Sequence, residues 1–199
     1  NCFTNGTKQH PGDETGSFMP WLKKSGYAWS KHLAQRYVLE KAQEEDFPAI
    51  VLAPTFVIGK RDNGKSSGQL VKHGRKAIVF YPSGGKSFIK AELAAEAIAN
   101  SLEKGKIGEA YLLAGENLTY REFYQRMAQL DGKKRIFIQV PNWILATVAS
   151  LFEFSNKTFH TQFALDKTNR RLLCLGNYFD HSKARSELGL ENTIIENCL

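Results

Sequence analysis

"AIVLAPTFVIG", residues 49 to 59, decides how this chain folds. Its opening, Ala49 to Ala53, is apolar at every position. A strand that is apolar on both faces must be covered on both faces, and such strands sit inside parallel sheets flanked by helices. Pro54 then interrupts the run. Proline has no N–H to give to a ladder, so the strand is expected to break there and to leave backbone groups accessible at its end.

The segments around this run repeat its logic. "AYLLAG" (110–115) reads as a second buried strand and "RIFIQV" (135–140) as a third. "AIVFYPSGGKSFI" (77–89) reads as two short strands about a Pro-Ser-Gly-Gly turn. Helices fill the spaces between. Residues 27–45 carry Ala34, Tyr37, Val38 and Ala42 at helical spacing, with Pro48 beyond the end. "QLVKHGRK" suggests a short helix, and "AELAAEAIANSLEKG" a strong one ending at Gly105. "LTYREFYQRMAQLDG" has Thr119 as N-cap and Glu122 three residues later, a capping box. "PNWILATVASLFEF" is opened by Pro141. The remainder is mostly helical, with an N-cap at Asp180 or Ser182 ahead of "KARSELG". Residues 4–26 and 60–68 are loops. Alternating strands and helices specify an α/β protein with a parallel sheet.

Composition narrows the functional classes. With 199 residues, 42% hydrophobic and 24% charged, the chain can bury a core without staples. No apolar run is long enough to span a bilayer, no secretory signal is present, and no membrane partner is expected. The chain begins Asn1-Cys2-Phe3, which reads as an entry in mid-protein. Cys2, Cys174 and Cys198 are odd in number and form no C-x-x-C, so a disulfide framework and a zinc knuckle are not suggested. A reduced, cytoplasmic setting is expected, and the N-x-T sequons at Asn5, Asn117 and Asn156 are read as chance.

The net charge of +7 suits nucleic acid or an anionic ligand such as a nucleotide. The basic clusters (Lys23-Lys24, Lys60-Arg61, Lys133-Lys134-Arg135, Arg170-Arg171) are short, scattered and without a recognition helix. They are read as solvated surface, and no nucleic-acid partner is expected. The five histidines, at 10, 32, 73, 160 and 181, have no ligand spacing, so no metal is expected. His32 is read as surface.

Chemistry enters through "SGYAWSKHLAQRYVLEKAQ" (25–43), where Tyr-x-x-x-Lys occurs twice: Tyr27 with Lys31, and Tyr37 with Lys41. On a helix, residues i and i+4 share a face. A neighbouring ammonium favours phenolate and lowers the tyrosine pKa. Such a phenol can protonate a carbonyl oxygen receiving hydride, or deprotonate an alcohol. The bare pattern is weak, since chance supplies it. Tyr27 stands at the mouth of its helix beside a long loop, where sites collect. Tyr37 lies mid-helix on the apolar stripe and is read as packing.

In this region the chain resembles the extended short-chain dehydrogenase/reductase family, nearest its dihydroflavonol-reductase-like and NAD-dependent epimerase/dehydratase members. The resemblance is carried by an ordered set: "HPGDET" (10–15), "YAWSK" (27–31), "LAPTFVIGKRD" (52–62), "SFIKAELAAEAIANSLEKGKIGEAYLLAGENLTYREF" (87–123) and "NYFDHSKARSELGL" (177–190). It implies that Tyr27 is the acid/base, and that Lys31 bonds the nicotinamide ribose and lowers the Tyr27 pKa. It implies that Pro54, Thr55, Phe56 and Val57 line the nicotinamide end, with Ser67 also approaching an NAD or NADP cofactor. Tyr37 stays structural. The fold implied is the C-terminal part of a Rossmann-type parallel sheet (1–59 and 87–115) with a small α/β substrate-binding lobe (60–86 and 116–199).

Departures matter as well. The family's glycine-rich phosphate loop is absent. "GKSSG" and "YPSGGKS" lack the spacing of one and are read as plain loops. The family's substrate-binding Ser/Thr falls upstream of Asn1, and Thr4, although near, is not assigned that role. Glu92 stands where the family often has aspartate, so a carboxylate is kept at a helix start. The chain is therefore expected to be an incomplete part of a larger enzyme and inactive alone. The expected substrate is a small-molecule carbonyl/alcohol pair. Alternatives are a sugar-nucleotide epimerase/dehydratase and a non-catalytic dinucleotide-binding relative. The apolar "PNWILATVASLFEF" suits a hydrophobic substrate, core packing or an oligomer interface, with a homodimer allowed.

Overall fold

The computed structural model describes residues 4–44, 47–60, 67–159 and 167–195; Cys2, Cys198, His160 and Arg61 lie outside them, as does most of the "GKSSG" loop. A short 3-10 turn (Pro20–Lys24) leads into α1 (Gly26–Glu44). There follow β1 (Val51–Pro54), β2 (Phe56–Ile58), α2 (Ser67–Gly74), β3 (Ile78–Tyr81), β4 (Gly85–Lys90), α3 (Ala91–Lys104) and β5 (Ala110–Leu113). The chain continues through β6 (Glu116–Thr119), α4 (Tyr120–Leu130), β7 (Ile136–Gln139), α5 (Asn142–Phe159), α6 (Lys167–Cys174), β8 (Gly176–Asn177) and α7 (Ser182–Leu188). The fold is mixed α/β with parallel sheets, as the alternation specifies.

The break at Pro54 separates two sheets. β1 pairs in parallel with β5, Val51 opposite Ala110 and Pro54 opposite Leu113. Only two residues later, β2 pairs in parallel with β4, which also takes β6 antiparallel and, at its start, β8 in parallel. A separate parallel pair joins β3 to β7.

Three clusters of buried side chains fill the spaces between. Around β2, β3, β4 and α4, Ile58, Val79, Phe88, Leu118, Phe123 and Tyr124 pack together, with the Phe88 and Phe123 rings stacked at 4.5 Å. On the other side of β4, Ile89 packs with Ala94 and Ala97 of α3, Tyr111 and Leu113 of β5, and Ala184 and Leu188 of α7. The third cluster, Ala53, Ala110, Leu112, Ala114 and Phe179, joins β1 and β5 to the segment after β8. β4 is buried on both faces because it separates two of these cores.

The two strands expected about Pro-Ser-Gly-Gly are present but do not pair with each other: β3 pairs with β7 and β4 with β2. The turn is built for close packing instead. A Cβ on Gly84 would come within 2.3 Å of the Leu173 and Leu175 carbonyl oxygens, and one on Gly85 within 2.2 Å of the Tyr178 hydroxyl. Tyr37 is not packed; it is 62% exposed, with the Lys41 ammonium 5.8 Å from its ring centre. The inward face of α1 is instead Ala28, His32, Gln35, Leu39 and Ala42. Apolar residues are spread around this weakly amphipathic helix, so periodicity selects the wrong stripe. His32 is accordingly not a surface side chain: its ring stacks on Phe18 at 4.3 Å.

Other local expectations hold. Thr119 caps α4 by accepting from Glu122 N–H, while Glu122 accepts from Thr119 N–H. At α7 the residue before the helix is His181, whose side chain does no capping; Asp180 accepts from Ser182 N–H and Oγ–H in its place. The edge of β5 that faces away from β1 is closed by side chains. Glu14 accepts from Leu112 N–H at 2.7 Å, and the Lys183 ammonium donates to Ala110 O at 2.8 Å.

Two outcomes follow from these contacts. Thr119→Ala removes half of the capping box and should cost about 1 kcal/mol of stability in urea unfolding; an unchanged midpoint would show that the cap contributes nothing. Glu187 accepts from the Tyr111 hydroxyl and pairs with the Lys106 ammonium, which together hold its carboxyl below the ordinary range. Its stabilisation is complete above the ordinary carboxylate pKa and is lost as pH falls through the lowered value. Glu187→Gln should therefore flatten the acid limb of Tm against pH, with little effect on its slope in the alkaline range.

Candidate functional site

A cavity of about 440 Å³ lies where α1 enters the fold, between the two sheets. Each wall comes from a different element. Phe18, Met19 and Leu22 precede the helix, Thr55 and Phe56 follow the Pro54 break, and Lys86 and Ser87 come from β4. Asn169 and Leu172 of α6, with Asn177 and Phe179, close the far side.

The residues before α1 fix where Tyr27 falls. Ser25 accepts from Ala28 N–H at 3.3 Å, satisfying one of the free donors of the first helical turn. Tyr27 therefore stands in that first turn, 74% exposed, and its side chain borders the cavity. Lys31 lies one turn on, on the same face and also exposed, but does not line the cavity. Neither the phenol of Tyr27 nor the ammonium of Lys31 has a polar partner among the described residues. Tyr37 and Lys41 line no such space.

The other expected site residues divide. Thr55 ties the end of β1 to β5: its N–H and hydroxyl both donate to Leu113 O, at 3.0 and 3.3 Å. Its side chain borders the cavity all the same. Phe56 lines the cavity and packs edge-on against Phe88 at 5.5 Å. Pro54 ends β1 without lining the cavity, and Val57 packs into the core beside Ile89. Ser67 opens α2, away from the cavity wall. The cavity thus brings Tyr27, Thr55 and Phe56 together and leaves Lys31, Pro54, Val57 and Ser67 outside its lining. Thr4 also forms part of the wall.

Lys86 is the residue that sequence reasoning missed. It belongs to "YPSGGKS", read as a plain loop rather than a phosphate loop, and stands just after the turn where a strand was expected. The glycines seat the turn against α6, and the lysine that follows, on β4, faces the cavity. It is half-buried and makes no ion pair among the described residues. Burial lowers its pKa below the ordinary lysine value. The hydroxyl of the adjacent Ser87 is already used, donating to Gly115 O and accepting from Gly115 N–H. The charge that a ligand meets on this wall is therefore that of Lys86. The only signal in the sequence was a lysine alternating with buried residues in a strand.

No protein-family model matches the chain, and no curated protein matches it either. Solved structures do. The chain superposes on gox2253 with a TM-score of 0.79 at 25% identity, over 99% of this chain and 60% of that one. It superposes on a nucleoside-diphosphate-sugar epimerase from Pseudomonas aeruginosa with a TM-score of 0.74 at 27% identity, over 98% and 60%. A dTDP-glucose 4,6-dehydratase from Bacillus anthracis, solved in complex with NAD, gives a TM-score of 0.67 at 17% identity, over 99% and 56%. The fold is that of the sugar-nucleotide epimerases and dehydratases, as the resemblance to the extended short-chain dehydrogenase/reductases implied. The chain spans about three fifths of the length of these structures.

The unpaired ammonium has a measurable cost. Lys86→Met removes a desolvated charge while keeping the volume of the side chain, and should raise Tm by about 2 °C or more at neutral pH. Because the folded pKa is lowered, the unfolded chain binds more protons, and the penalty fades as pH rises toward the ordinary lysine value. The two melting curves should converge at alkaline pH. A lower Tm for the variant would mean that Lys86 is paired in solution.

Proposed function

We propose that this chain carries the acid/base and substrate side of an NAD(P)-dependent oxidoreductase that interconverts a carbonyl and an alcohol. The observation that carries the proposal is the position of Tyr27: its phenol, without a polar partner among the described residues, stands at the mouth of a cavity walled by Thr55 and Phe56, with the ammonium of Lys31, likewise without one there, one helical turn away. The P. aeruginosa epimerase and the NAD-bound dehydratase supply support from likeness of fold.

The residues present fit the nicotinamide end of a dinucleotide. Lys31 offers an unused donor for a ribose hydroxyl, and Thr55 and Phe56 offer a wall beside Tyr27. The chain has no glycine-rich loop for the pyrophosphate, so that part of the site is proposed to lie outside it. When bound, NAD or NADP exchanges hydride with the substrate carbon. Tyr27 donates its proton to the carbonyl oxygen in reduction and takes one from the alcohol in oxidation.

One observation favours a second reading, a sugar-nucleotide epimerase or dehydratase. Lys86 places a cation with no ion pair among the described residues on the wall of the same cavity, which suits an anionic substrate better than a neutral one.

The test begins with fluorescence titration of NADH and NADPH into this chain and into the longest reading frame that contains it. Binding to the longer protein and weak binding to this chain are expected. Turnover is then assayed on neutral carbonyl compounds and on UDP- and dTDP-sugars. Tyr27→Phe should lower kcat on the order of 10²–10⁴-fold with cofactor binding retained, and Tyr37→Phe should leave kcat unchanged. Turnover of neutral carbonyls supports the reductase. Conversion of nucleotide sugars, with a raised KM in Lys86→Met, supports the second reading. Cofactor binding without turnover of any substrate would leave a dinucleotide-binding relative.

A further inference from the structure

The β3–β7 pair is covered on one face only. Val79 and Tyr81 point into the core with α4. The alternate positions Ile78 and Phe80, and Ile136 and Ile138 opposite them, form the other face. All four are exposed, between 41% and 60%. Isolated apolar residues on a surface are ordinary; a contiguous row on one sheet face marks an interaction surface.

The charge around this face is one-sided. Because the two strands run parallel, their N-terminal ends lie together. That end carries Arg75 and Lys76 before β3, and Lys133 and Lys134 before β7, all exposed and without ion-pair partners among the described residues. The segments that build the region, 67–91 and 123–152, contain a single acidic residue, Asp131, and Arg135 already engages it. Phe80 and Lys76 also border an apolar cleft of about 590 Å³ lined by Leu70, Tyr124 and Leu145, so the apolar surface continues beyond the strands.

We infer that this face docks on an anionic lipid surface. Three isoleucines and a phenylalanine supply an apolar patch with no polar side chain among its four positions. Four cations at one end supply the attraction to anionic headgroups. Lysine is depleted from protein–protein interfaces, so its clustering at this rim favours lipid over a protein partner. The attachment is peripheral: among the described residues no helix is long and apolar enough to cross a membrane. It amends the expectation from sequence that no membrane partner exists.

The test is cosedimentation of this chain with phosphatidylcholine vesicles, with and without phosphatidylglycerol, at low and high salt. Binding is expected only with phosphatidylglycerol, and release by salt. The double variant Lys76→Gln/Lys134→Gln should weaken binding roughly 30-fold. Phe80→Ser/Ile138→Ser should abolish it with all charges in place. Circular dichroism checks that each variant folds, and the charge variant alone suffices if the apolar one does not. Absence of binding, or binding indifferent to the charge variant, overturns the inference. So does a dimer in light scattering that Phe80→Ser/Ile138→Ser dissolves while vesicles are ignored, which would assign the face to a second copy. Capture by poly-glutamate but not by vesicles would assign it to an acidic protein partner and equally overturn it.

Discussion

The structure depends on one apolar run changing partners. Val51 and Thr55 donate to β5, so the Pro54 nitrogen, which carries no hydrogen, lies on the edge away from β5 and costs that ladder nothing. Thr55 makes the last bond of the ladder, giving both its N–H and its hydroxyl to Leu113 O, and the chain then crosses to β4 as β2. A single apolar run thereby supplies strands to two sheets. The crossing point becomes a cavity wall, because Thr55 and Phe56 sit where neither sheet covers them.

β4 holds the two parts in register. It pairs with β2, β6 and β8, and its two faces serve different cores, Phe88 in one and Ile89 in the other. A strand in that position has little tolerance for polar side chains. Lys86, Ser87 and Lys90 are the exceptions. Ser87 is satisfied by Gly115, whereas Lys86 has its charge directed at the cavity. A half-buried charge with no ion-pair partner among the described residues is expensive, and that cost in a strand this constrained is what makes it informative.

Much of this was legible in the residues, and the failures have physical causes. Helices with strong local signals were placed well. The α4 capping box needs only Thr119 and Glu122, three residues apart. β6 went unread because "ENLT" is short and polar, and becomes a strand only by pairing with β4. The two strands about Pro-Ser-Gly-Gly were legible, but not their partners, because both pair with distant segments. Tyr37 was misplaced because α1 has no dominant apolar stripe, and the tertiary contact of His32 with Phe18 sets its rotation. The return of α7 to pack on α3 and β5 is a long-range contact with no local signature. At the site, Tyr27 was legible through the start of its helix. Lys86 was not, since nothing local says which way a strand side chain faces.

The two edges of the β1–β5 pair are not equivalent. On β5, Glu14 occupies an amide and Lys183 a carbonyl that another strand would need, so that edge cannot accept one without losing both contacts. Among the described residues, β1 pairs with nothing but β5. The sheet therefore has a polarity of growth: a further strand can be added beside β1 and is refused beside β5. Whatever extends this sheet, whether more polypeptide or an unwanted copy at high concentration, must arrive from the side of Leu52.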